Sequence, residues 1–206
     1  FSMQGAHYAD ERLPRYTSYP TAPHFSAGID AATYACWLKA LPAGTTTSLY
    51  LHVPFCRSMC WYCGCHTTVA LRDGPIVDYL AVLRSEIALV AAQRSAPLDV
   101  RHIHFGGGTP TIIEPEEFVA LVALLRQHFA VHPQAEIAVE IDPRRLGPGM
   151  TAALAAAGVN RASLGVQSFD PAVQKAINRI QSVEQTANVV SGLRRAGIEE
   201  VSFDLI

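Results

Sequence analysis

The chain has 206 residues, 16 basic against 18 acidic side chains and a formal net charge of −2. With a pI near 6.5, it lacks the basic excess of a nucleic-acid-binding or anionic-membrane-binding protein. Its longest nearly apolar runs, such as residues 150–159, are too short to cross a bilayer, and the length suffices for one good-sized core.

Phe1-Ser2-Met3 reads as a cloning remnant and is left out of the fold. Residues 1–30 carry many Pro, Gly and Tyr with little periodicity and read as an extended arm, with tyrosines and Phe25 for packing. A helix over 31–41 stops before Pro42, and its lone Cys36 reads as a buried apolar filler. The first strand is 48–53. Residues 73–95 form a helix, with Ile76, Leu80, Leu83, Ile87 and Val90 at three- and four-residue intervals. A strand over 101–105 runs into Gly106-Gly107-Gly108-Thr109-Pro110, and Pro115-Glu116-Glu117 opens the next helix. A strand over 136–141 ends at Asp142-Pro143, and a helix over 150–157 closes at Gly158. The fourth strand is 161–166. Ser182 with Gln185 resembles a capping box for a helix that stops at Gly197, and 201–206 is a fifth strand.

Strands alternating with helices predict right-handed βαβ units and a parallel sheet, an α/β fold. Strands covered on both faces should be almost continuously apolar. These alternate instead. Leu49, Leu51, Val53, Ile103, Phe105, Ile137, Val139, Ile141, Leu164, Val166, Val201, Phe203 and Leu205 belong to faces that should lie under helices. The opposite faces carry Tyr50, His52, His102, His104, Glu136, Glu140, Ser163, Gly165, Gln167, Ser202 and Asp204. Helices outside and polar groups inside predict a curved, barrel-like sheet around a hydrophilic ligand. The strands' carboxyl ends, where such folds place their chemistry, lead into the cysteine loop and the triple glycine and carry Gln167.

The stretch SLYLHVPFCRSMCWYCGCH at 48–66 places Cys56, Cys60, Cys63 and Cys65 within ten residues. Three thiolates at Cys-x3-Cys-x2-Cys spacing can ligate three irons of a cubane cluster and leave the fourth open to a small molecule. A zinc module is the rival, although a second Cys-x2-Cys pair is lacking. An odd cysteine count argues against a disulfide framework, and free thiolates imply a reducing, cytoplasmic setting. The glycine run lets backbone groups approach a ligand but has neither nucleotide-phosphate spacing. Glu140 reads from composition alone as a partner for Arg144 or Arg161, Arg179 as a solvated charge, and His52 and His104 as hydrogen-bonded core histidines.

Cys56, Cys60 and Cys63 with Tyr62 resemble the motif of radical S-adenosylmethionine (SAM) enzymes. The run YLHVPFCRSMCWYCGCHT, Cys65 and the segment PRYTSYPTA at 14–22 resemble, more narrowly, the oxygen-independent coproporphyrinogen III oxidases of haem biosynthesis. The resemblance implies an arm and short helix over 1–47. It implies a radical SAM barrel over 48–206, a partial (β/α)6 barrel of parallel strands truncated after the fifth, without the carboxyl-terminal domain. It implies a [4Fe–4S] cluster on Cys56, Cys60 and Cys63, and two SAM molecules. Tyr50, Gly107 and Glu140 match positions for the first. Tyr62, Gly108, Thr109, Gln167, Arg179 and Asp204 match positions for the second, Tyr62 standing where the oxidases often have Phe. Cys65 would touch substrate or tune the cluster. The reaction implied is radical-initiated oxidative decarboxylation of two propionates of coproporphyrinogen III to vinyls. An electron donor such as flavodoxin or ferredoxin would serve a monomer that binds neither nucleic acid nor membrane. A haem-delivering relative without decarboxylase activity is the alternative. Family members are about twice this length, so this chain alone is expected to hold the cluster poorly and turn over little.

Overall fold

The structure, a computed structural model, describes residues 21–206. Residues 1–20, with most of the expected arm, lie outside the described part. The first element is a single 3-10 turn, Ala22–His24, and Phe25 beside it is exposed. Helix α1 (Ala31–Ala40) begins at Asp30, whose carboxylate accepts from the Thr33 N–H at 2.8 Å. None of its residues is buried, and Cys36 is exposed rather than a core filler. The helix carries Trp37 and Tyr34 with roughly half their surface open, so no described element covers it.

The core is a five-stranded parallel sheet. It takes β1 (Thr46–Val53), β4 (Asp99–Gly107), β5 (Ala130–Ile141), β6 (Arg161–Gln167) and β7 (Glu200–Leu205) in that order. Two short strands, β2 (Phe55–Cys56) and β3 (Thr68–Val69), form a separate parallel pair in the β1–α2 connection. Neighbouring sheet strands follow chain order without reversal. This singly wound order puts all crossovers on one face, as in a barrel, whereas a doubly wound sheet turns back on itself. Those crossovers contain α2 (Gly74–Ala92), α3 (Pro115–His128), α4 (Pro148–Ala157), the short α5 (Pro171–Ala176) and α6 (Val183–Arg195).

Period-two alternation decides the layers. Leu51, Val53, Ile103, Phe105, Ile137, Val139, Ile141, Leu164 and Val166 are buried in one cluster with Leu80, Phe118, Leu121, Leu125, Leu154 and Leu193 of the helices. Val100 and Ile103 both join that cluster although three residues apart. A register shift between Val100 and His102 supplies the extra residue, Arg101, and returns the alternation to phase. The expectation fails at the last strand: Val201 packs on the core, but Phe203 and Leu205 are 49% and 68% exposed. No element among the described residues covers them.

Element ends follow local chemistry. Gly158 ends α4 in the left-handed region at φ +83°. Ser182 accepts from the Gln185 N–H at 3.0 Å, but the Gln185 side chain donates to the Arg144 carbonyl instead of returning to the cap. Half of the capping box therefore forms. Helix α5, which the sequence reading passes over, starts at Asp170, whose carboxylate accepts from the N–H groups of Ala172 and Val173.

Candidate functional site

At the carboxyl ends of the strands lies a cleft of about 680 Å³. Cys56, Cys60, Tyr62, Cys63, Cys65, Gly107, Gly108, Thr109, Glu140, Gln167, Arg179 and Asp204 all line it. Of the residues singled out as candidate ligands, only Tyr50 does not. It stands on the inner face of the sheet below, its ring stacked on His104 at 5.7 Å.

The cysteine loop is tied down at both ends. Cys56 leaves the sheet through β2, and the Ala70 N–H donates back to the Cys56 carbonyl at 2.9 Å. In the middle, the Trp61 N–H donates to the Ile177 carbonyl and the Asn178 side-chain amide to the Met59 carbonyl, at 3.0 and 2.9 Å. Asn178 makes this contact from φ +55°, a conformation asparagine tolerates better than most residues.

Each sulfur has different surroundings. Cys56 faces hydroxyls, Thr109 Oγ1 at 3.3 Å and Thr67 Oγ1 at 3.6 Å. Cys60 receives guanidinium donors, Arg179 Nη1 at 3.3 Å and Arg144 Nη2 at 3.8 Å. Cys63 neighbours Cys65, whose thiol is pushed up to about 11, first by burial and then by the Cys63 charge and hydrogen bond. Burial likewise lifts Tyr62 to about 12, with the Arg179 charge opposing and Cys60 and Cys63 assisting.

The triple glycine is shaped by the protein's own packing. Gly107 has φ +114°, which a side chain resists. A Cβ on Gly108 would stand 2.6 Å from the Phe55 carbonyl oxygen, because Gly108 and Thr109 N–H groups donate to Val53 and Phe55 at 2.8 Å each. The run thus stitches the β4 exit to the β1 exit and brings Thr109 to Cys56.

Glu140 does not pair with Arg144 or Arg161. It accepts from His104 Nε2 at 3.1 Å through Oε1 and from the Gly107 N–H at 3.2 Å through Oε2. His52 sits beside it: Nε2 donates to the His66 carbonyl at 2.8 Å, which leaves Nδ1 to accept from Tyr50 Oη at 2.9 Å. Farther round, Ser163 donates to Asp204 at 3.2 Å, and Arg161 pairs with Glu136. Much of the inward polar row read from the sequence is thus engaged in separate local pairs.

Arg179 is buried, not solvated. Its Nε and Nη2 donate to the Gly165 carbonyl at 3.0 and 2.6 Å. Behind it lies a group the sequence reading missed. Asp142 is 8% exposed, accepts two-pronged from Arg144 at 2.6 to 3.1 Å and lies 3.4 Å from Arg179. Burial works against the Asp142 charge, but hydrogen bonds from Arg144 and the charges of Arg179 and Arg144 outweigh it and hold the carboxyl below its ordinary range. Its signal was Asp142-Pro143-Arg144 directly after a strand's carboxyl end.

Among the described residues, no three His, Cys, Asp or Glu side chains converge as they would on one metal ion. The donor set suits a larger group. Three cysteines spaced along one wall of a wide cleft, with cationic and hydroxyl donors behind the sulfurs, fit a polynuclear cluster in which each thiolate reaches its own iron.

The comparisons with known proteins agree with this geometry. The radical SAM superfamily profile matches residues 50–206. An oxygen-independent coproporphyrinogen III oxidase from Bradyrhizobium diazoefficiens is 67% identical over 97% of the chain and 44% of its own length. One from Pseudomonas aeruginosa is 40% identical over 94% of the chain and 43% of its own length. The solved coproporphyrinogen III oxidase HemN from Escherichia coli superposes with a TM-score of 0.84 at 36% identity, over 92% of this chain and 43% of that one. The chain thus spans under half the length of these relatives. The profile match begins at Tyr50 in the first barrel strand and takes in the cysteine loop, the glycine run and the remaining sheet: the chain belongs to the radical SAM superfamily.

Proposed function

We propose that this chain is the catalytic half-barrel of an oxygen-independent coproporphyrinogen III oxidase, a cytoplasmic enzyme that converts two propionate side chains to vinyl groups. The supporting observation is the joining of 67% identity over 97% of the chain to a cleft that collects the cysteines, glycine run, Glu140 and Arg179. When bound, a [4Fe–4S] cluster with SAM supplies one-electron bond cleavage and hydrogen abstraction that no side chain can perform.

The chain's own residues bind, orient and shield. Cys56, Cys60 and Cys63 would hold the cluster through their thiolates. The rigid 107–109 backbone and Thr109 present a fixed wall beside Cys56. Glu140, already oriented by His104 and Gly107, is placed to accept hydroxyl donors such as those of a ribose. Tyr50 supports that carboxylate from below through His104. Tyr62, Gly108, Thr109, Gln167, Arg179 and Asp204 line the cleft and are the residues proposed for a second SAM. Tyr62 stays protonated throughout the neutral range, so it offers an O–H donor and a ring face, not a charge. An external one-electron donor is required.

The test is anaerobic reconstitution of a polypeptide of the relatives' length that contains residues 1–206. Iron and sulfide should be bound, and reduced protein given SAM should release deoxyadenosine, with vinyl product when coproporphyrinogen III is supplied. A colourless zinc protein, or haem binding without decarboxylation, would overturn the reading. Replacing Cys56, Cys60 or Cys63 by Ser should abolish iron retention, whereas Cys65→Ser should retain iron.

A further inference from the structure

Cys60 alone of the three proposed cluster cysteines has charged donors at its sulfur. Arg179 and Arg144 both line the cleft, but only Arg179 matches a SAM position, and Arg144 has no role assigned to it. Its side chain is 15% exposed and its Nε and Nη2 are committed to Asp142. Its backbone is fixed too: the N–H donates to Asp142 Oδ1 at 3.0 Å, and the carbonyl accepts from Gln185 at 3.3 Å. The same Nη2 that meets the carboxylate points at Cys60. A side chain this constrained has one remaining polar contact, the sulfur.

We propose that Arg144, aimed by Asp142, is a positioning residue for the cluster, donating to the Cys60 thiolate and setting the reduction potential of the iron that Cys60 holds. The inference rests on the cluster reading above. A donor at a thiolate draws electron density off the sulfur and favours the reduced, more negative cluster, so the potential rises. The asymmetry marks Cys60 as the ligand through which the protein would raise the potential of the cluster. Removing Arg144 does not strand Asp142, because Arg179 remains 3.4 Å from it.

Arg144→Gln and Arg144→Lys separate this role from a scaffolding one. Both are reconstituted anaerobically in a polypeptide containing residues 1–206, assayed for iron and sulfide, and titrated potentiometrically with electron paramagnetic resonance of the reduced cluster. The expected result is parental iron content, a midpoint shifted to more negative potential with an altered resonance in Arg144→Gln, and partial recovery of both in Arg144→Lys. Unchanged midpoint and spectrum at matched iron content would overturn the proposal. So would loss of iron in Arg144→Gln alongside an unshifted Arg144→Lys, since that pattern belongs to a structural residue. A parent protein that takes up no iron or sulfide would overturn the cluster reading, and this inference with it.

Discussion

Asp142 carries the largest single-residue consequence in the site. It is one buried carboxylate between two nearly buried guanidiniums, and deleting it leaves both cations without a counter-charge. Breaking a buried pair in this way costs about 3–5 kcal/mol, so Asp142→Ala should lower the urea midpoint of the cluster-free chain accordingly. Its acid behaviour follows from the depressed carboxyl. The contribution is present above the ordinary carboxylate value of about 3.9 and disappears as pH falls through the lower folded value. Acid titration of parent and Asp142→Ala should therefore converge at the low end. Gly108→Ala makes a second case. Its new methyl meets a backbone carbonyl that cannot swing away, for a cost of about 1–3 kcal/mol by thermal melting. The cysteines and Glu140 were legible because short-range spacing and strand alternation place them. Asp142 and Arg179 were not. Asp142-Pro143-Arg144 at a strand end hinted at the near pair, but the contact with Arg179 joins positions 37 apart and has no local pattern.

Elements announce themselves by period and cap, and the misses show what that signal lacks. Helix α5 has only six residues, too few for a periodic face, although Asp170-Pro171 is an ordinary helix start. It matters because it delivers Ile177, Asn178 and Arg179 to the cysteine loop. Asp170→Ala should cost about 1 kcal/mol, and amide exchange at Trp61, bonded to Ile177, should accelerate while the β4 core amides stay protected. At β4 the Arg101 bulge hid Val100 from a strict alternation, so the strand was read two residues short at its start. In α1 the apolar residues were real but the surface to bury them is not among the described residues, and Cys36 is exposed as a result.

For the whole molecule, strands alternating with helices and a largely polar inner face were readable from the sequence. What alternation could not supply was the cover for the far edge. Phe203 and Leu205 of β7 are both exposed, Leu205 at the cleft where a register shift brings it opposite Gln167, in a chain that spans 44% of a close relative. Polar replacement of both should change folding free energy by no more than about 0.5 kcal/mol, as at ordinary surface positions, yet reduce concentration-dependent self-association in sedimentation.

The grip of residues 177–179 on residues 59–61 has a bearing on life in air. Backbone and amide contacts from the residues just after α5 hold the sulfur-bearing segment, and none of them uses a cysteine side chain. A nest braced from outside keeps its outline when its mineral is burned away by oxygen. Repair then becomes a matter of refilling a standing mould, and anaerobic recovery should proceed without a refolding lag.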